Sequence, residues 1–139
     1  MSTETNKQKA RAFFESFDKG DMVAWRACLG PGFTAYMNGS DKPMTAQEFE
    51  GMASMFAQAF ANGRHLIDRQ LADGDWVATR MSWTAIHVAP FNGVPTSNRS
   101  VSIAAIAFDR FANGKIAEHN TVVDVMALMT QIGAIPAAA

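Results

Sequence analysis

Three side chains stand where apolar patterning would let them do chemistry: Asp124, His87 and Arg80. Asp124 closes the alternating series Ile116, Glu118, Asn120, Val122, Asp124, with Val122, Val123, Val125 and Met126 around it. A carboxylate held among apolar groups loses hydration and becomes a better base. An aspartate here also suits the N-cap of a short helix at 126–132, and both readings stay open. His87 lies among Ile86, Val88 and Ala89. It can donate to a substrate oxygen as charge develops there, relay a proton near neutral pH, or bond the backbone of the loop that follows. Arg80 belongs to the series Trp76, Ala78, Arg80, Ser82, Thr84, Ile86. It can clamp a substrate oxyanion, or pair with Glu118 or Asp109 across a solvated face, since an unpaired arginine is costly to bury. Strict alternation puts Arg80 and His87 on opposite faces, so one pocket collects both only through a bulge or a loop. The same counting turns His119 away from Asp124 and leaves His65 at a strand start, so neither is favoured.

Composition narrows the classes of function. The chain has 139 residues, the size of one domain, and no linker or repeat divides it. It is 48% hydrophobic and 18% charged. A typical domain is about 25% charged, so extra buried surface is expected, as in a pocket or a subunit contact. Twelve basic residues face 13 acidic ones, for a net charge of -1. That balance gives no general drive toward nucleic acid or an anionic membrane. Cys28 is the only cysteine, which excludes an intrachain disulfide and a Cys-cluster metal site. The three histidines lack His-x-x-x-His spacing, and no glycine loop follows a strand to cradle a phosphate, so neither metal nor cofactor is expected. The polar, charged first 15 residues do not read as a signal peptide, and no apolar run reaches about 18 residues. The expected location is the cytoplasm.

The candidates need elements to hold them. Ala10, Phe13, Phe14 and Phe17 share one helical face, and Gly20 suits the turn after that helix. Asp21 caps a second helix at 22–29, stopped by Gly30-Pro31. A short strand at 33–37 ends in Asn38-Gly39. Thr45 and Glu48 form a capping box for a third helix carrying Phe49, Met52, Phe56 and Phe60, closed by Asn62-Gly63. Beyond that the period becomes two. Strands are expected at 65–71, 76–88, 101–111 and 116–125, with turn signals at Asp73-Gly74 and Asn113-Gly114. Helices first and hairpin-linked strands later give an α+β fold. Phe13, Phe17, Trp25, Met52, Phe56 and Phe60 are its expected helical interior.

These features resemble a known family. The run Gly93-Val94-Pro95-Thr96 before a long strand, the run from Phe108 to Glu118, and Asp124, Leu128, Gln131-Ile132-Gly133 and Pro136 are similar to SnoaL-like polyketide cyclases. The resemblance covers residues 7–136. It implies the nuclear transport factor two-like fold: a conical barrel of a curved mixed, mostly antiparallel sheet wrapped around N-terminal helices, with a pocket inside. It implies a carboxylate base at Asp124 and a histidine at His87, for ring closure by intramolecular aldol condensation. Asn120 stands where members often carry Trp, and 95–99 is one residue longer than the usual Pro-Thr-Gly-Arg loop. Epoxide hydrolases of the same superfamily need a second aspartate two residues after the arginine, where this chain has Ser82.

The expected activity is therefore acid–base catalysis, without a cofactor, on a hydrophobic carbonyl compound, by cyclisation or isomerisation. Asp124 and His87 are the catalytic candidates, and Arg80, Asn120, Trp83 and Phe56 the substrate contacts. The rival expectation is a non-catalytic binding module with the same pocket. A homodimer is expected through the outer face of the strands at 76–88, 101–111 and 116–125.

Overall fold

The computed structural model describes residues 2–136. Helix α1 (Thr3–Asp18) starts where the Ser2 hydroxyl accepts from the Thr5 N–H at 3.1 Å. Helix α2 (Met22–Ala27) starts on the Asp21 carboxylate, which accepts from Ala24 N–H at 3.1 Å. Each cap satisfies an amide that the first turn cannot. Strand β1 (Leu29–Met37) follows, then α3 (Ala46–Ala59), opened by the expected capping box of Thr45 and Glu48. Four long strands come next: β2 (Phe60–Asp73), β3 (Trp76–His87), β4 (Ser100–Ala112) and β5 (Lys115–Val123). A short helix α4 (Val125–Gln131) ends the described chain.

The five strands form one mixed sheet in the order β1-β5-β4-β3-β2, with β1 parallel to β5 and the other pairs antiparallel. Helices α1 and α3 pack on its inner face. Two apolar clusters fill the space between. One gathers Phe13, Phe14, Trp25, Phe33 and Phe49 against Val77, Met81, Ala105, Ala107 and Ile116. The other gathers Phe60, Ala85, Val101, Ile103, Leu128 and Ile132, and half-buried Val123 touches both. Of the expected interior residues, Phe13, Trp25 and Phe60 are buried, whereas Phe17, Met52 and Phe56 are half-buried.

Two expected boundaries move for identifiable reasons. Asn62-Gly63 does not close α3. The pair forms a bulge inside β2, where the register steps from Ala61 opposite Ile86 to Arg64 opposite Thr84. Asn62 adopts a positive φ of 57°, which asparagine tolerates better than most residues. A Cβ on Gly63 would meet Trp83 Nε1 at 3.2 Å, so glycine leaves that indole its seat. Strand β1 also starts earlier than expected, running through Gly30 and Pro31 beside Ile116, with an irregular register up to Thr34.

Candidate functional site

Arg80 and Asn120 lie on the outer face, away from the helices. Arg80 is 57% exposed and grips Asp68 of β2, with Nε 3.1 Å from both carboxylate oxygens. The Arg80 hydrogen bonds hold the Asp68 carboxyl below its ordinary value. The ion-pair alternative for Arg80 is thus the one realised, with Asp68 instead of Glu118 or Asp109 as its partner. Asn120 donates to Phe108 O at 3.1 Å and to Glu118 Oε2 at 3.0 Å. It lines an open groove of about 550 Å3 with Tyr36, Ser40, Asp41 and Glu118. The expected interior contacts at Arg80 and Asn120 are therefore corrected to outer-face positions.

Asp124 is also placed differently from the base expected among apolar groups. Strand β5 stops at Val123, and the exposed Asp124 caps α4, accepting from Ala127 N–H at 2.9 Å. Its own N–H donates to Ala104 O at 3.0 Å. The capping alternative accounts for the first contact, and the second is a backbone bond to β4.

His87, Trp83 and Phe56 do come together. His87 is fully buried at the end of β3, its ring centroid 5.1 Å from that of Phe60. Phe60 is 5.3 Å from Trp83 and 5.2 Å from Phe91, and Phe56 is 6.1 Å from Trp83. Such spacings lie in the range of favourable aromatic pairs. His87 Nδ1 is 2.8 Å from Ser97 Oγ and accepts from Ser97 N–H at 3.2 Å. Arg80 and His87 face opposite sides, as alternation requires.

The most chemically capable group in the interior is one that strict alternation turned away. Asp109 of β4 and His119 of β5 are cross-strand partners, 0% and 1% exposed. His119 Nδ1 is 2.5 Å from Asp109 Oδ1, and the Thr121 hydroxyl bonds His119 Nε2. Phe13, Phe14 and Phe49 surround the imidazole at centroid distances of 4.6, 6.0 and 5.4 Å. Asp109 Oδ2 has no partner among the described residues. A carboxylate shut away from water is costly unless paired, and His119 supplies the pairing. One proton lies between Nδ1 and Oδ1, and the hydroxyl can give or take one at Nε2. An imidazole oriented by a carboxylate on one nitrogen and facing a hydroxyl on the other is equipped for general acid–base work.

A one-residue bulge explains why this group was missed. The Asn113-Gly114 turn pairs Ala112 with Lys115 and Phe111 with Ile116, but Arg110 then pairs with Glu118, which leaves Ala117 extra. Past that point the inward phase of β5 passes from Ile116 to His119 and Thr121. The legible signal was on β4, where Val101, Ile103, Ala105, Ala107, Asp109 and Phe111 keep one phase.

The Asp109–His119 pair and His87 lie far apart. Val77 is the β3 partner of Asp109, and His87 lies ten residues further on. At ~3.3 Å per residue that is about 33 Å of strand, more than a small ligand spans. Cys28, beside α2, is half-buried, and burial pushes its thiol up despite Lys115 and Lys9 nearby. Among the described residues no three His, Cys, Asp or Glu side chains gather as a metal centre requires. No helix of these residues is long and apolar enough to cross a membrane.

Known proteins share this architecture. AclR of Streptomyces galilaeus, provisionally a hydroxylase, superposes with a TM-score of 0.90 at 22% identity, over 99% of this chain and 91% of its own. IdmH of Streptomyces antibioticus, provisionally a polyketide cyclase, gives 0.84 at 24% identity, over 92% and 98%. TsrD of Streptomyces laurentii gives 0.83 at 22% identity, over 97% and 99%. At such identities the likeness shows the fold. Among proteins with curated descriptions none matches. The family model for the SnoaL-like polyketide cyclase matches residues 7–132, nearly the whole described chain, and the protein belongs to that family.

Proposed function

We propose that this protein is an acid–base enzyme acting on a hydrophobic carbonyl compound by ring closure or isomerisation, with His119 as the proton-transfer group. The observation that carries this reading is the buried Asp109–His119 pair, 2.5 Å apart inside an aromatic cage. His119 Nε2, parted from the Thr121 hydroxyl, takes a proton from the carbon beside the carbonyl. Asp109 faces the imidazolium so formed. The Thr121 hydroxyl is then free to donate to the enolate oxygen, as an oxyanion donor does. In ring closure the enolate carbon attacks a second carbonyl of the same molecule, and the imidazolium returns its proton to the new alkoxide. Only protons move to and from the protein, so the step needs no cofactor.

The test is turnover after a screen of cyclisable carbonyl compounds. His119→Gln should slow turnover by roughly a hundred- to ten-thousand-fold while the substrate still binds. Asp124→Asn should leave turnover within a few-fold of the parent protein. Equal losses in the two variants would refute the assignment. A second reading, a binding module without chemistry, is favoured by one observation: both members of the pair are closed off from solvent in this structure. A full screen with no turnover, alongside saturable binding, would select it.

We also propose that a second copy of the chain covers the outer face. Ile106, Phe108 and Val122 lie there about half exposed, with Trp76 against Phe108 at 5.5 Å. Contiguous apolar surface of several hundred Å2 commonly marks an interface. Light scattering should give twice the 15.1 kDa chain mass at micromolar concentration, and Phe108→Glu should halve it. A monomeric parent protein would refute the dimer.

A further inference from the structure

We infer that the His87 end of the interior is a separate binding site for a planar, apolar ketone whose carbonyl oxygen accepts a hydrogen bond from His87 Nε2. The donor is set by the loop. Ser97 N–H donates to His87 Nδ1 at 3.2 Å, so Nδ1 presents a lone pair. In a neutral imidazole the proton then sits on Nε2. That nitrogen is buried and has no partner among the described residues. Buried donors without acceptors are rare, and each calls for an explanation.

The surroundings say what would answer it. The rings about His87 are Phe60, and beyond it Trp83, Phe91 and Phe56. They offer flat apolar surface. A ligand matched to this set carries one carbonyl oxygen on an aromatic body. The partly exposed side chains mark where a ligand would enter. Phe60 and His87 are buried, whereas Phe56, Trp83, Phe91 and Val94 are half-buried and form the rim. Phe91 sits at the foot of a two-residue turn, Asn92-Gly93, closed by paired bonds between Phe91 and Val94 of 3.0 and 2.8 Å. Phe91 rests on Phe60 and Phe56 at 5.2 and 5.1 Å, the position an aryl ketone would take over. Ser97 meanwhile keeps the far end of the loop fastened to Nδ1.

The experiment uses the full chain and prodan, a naphthyl ketone whose emission shifts when its carbonyl accepts a hydrogen bond. Nitrogen-15 NMR of the histidine rings should show His87 protonated at Nε2 and bare at Nδ1. Adding prodan should move that Nε2–H signal. His87→Phe should weaken prodan binding about tenfold, the scale of one lost hydrogen bond, and abolish the emission shift. Asp109→Asn, at the other end of the interior, should bind prodan like the parent protein. A loss of turnover in Asp109→Asn with prodan binding intact separates this site from the proposed reaction. A proton on Nδ1, an unmoved Nε2–H signal, or equal affinity in His87→Phe would each overturn the inference. The two NMR readings are made on the unaltered chain, so they stand even where His87→Phe does not fold.

Discussion

The two ends of the interior treat a buried histidine in opposite ways. His119 has both ring nitrogens engaged, by Asp109 and Thr121. His87 has one nitrogen engaged, by Ser97, and one without a partner among the described residues. The first is held by strands alone, by Asp109 opposite it on β4 and by Thr121 two residues further along β5. The second is held by the loop at 88–99, which ties it from outside the sheet. A histidine held at one nitrogen by a carboxylate keeps its orientation while the other nitrogen takes and returns protons. A histidine with one unmet donor favours whatever brings an acceptor. In the two proposals above, the same residue type transfers protons at one end and recognises a ligand at the other, and the difference lies in the second nitrogen.

Packing sets the largest expected contrast. Phe13 is 1% exposed and touches Phe14, Trp25, Phe49 and the His119 ring. Phe91 touches Phe56 and Phe60 and is half-buried. Phe13→Ala should cost about 3–5 kcal/mol, read by urea unfolding, and Phe91→Ala distinctly less. Similar costs would break the contrast between a closed end and an openable one. Asp124 gives a finer cut. Its cap belongs to α4, whose Leu128 and Ile132 pack at the His87 end. Asp124→Ala should lower stability by about 1 kcal/mol, and Asp124→Asn by a few tenths, because asparagine caps nearly as well. A larger loss in Asp124→Asn would mean that the carboxylate does more than cap.

Much of the fold was legible in the sequence because its signals are local. Thr45 with Glu48, Asp21, and Asn113-Gly114 each act within four residues, and the structure uses them as expected. The family pattern added the sheet's curvature and its mixed pairing. The candidate site was less legible because it depends on phase carried along a strand. A run of alternating residues fixes a face only while no residue is added. Asn62-Gly63 and Ala117 each add to one strand, and only the first has a recognisable composition. Alanine carries no such mark, so Glu118 and Asn120 read as inward when they face out. Asp124 failed differently: the alternating series ran on past the residue where β5 stops.

The bulge at Ala117 bears on how such a protein diverges. Substitution changes one side chain at a time, yet loss of the single codon for Ala117 would remove the bulge and set Glu118 directly after Ile116 in a regular ladder. His119 and Thr121 would still face inward beside Asp109, because the lost residue is the one without a partner of its own. Relatives that differ by one position in length at this bulge would therefore keep the same interior. For this lineage, interior groups are better compared by their place on the ladder opposite Asp109 than by their count from Gly114.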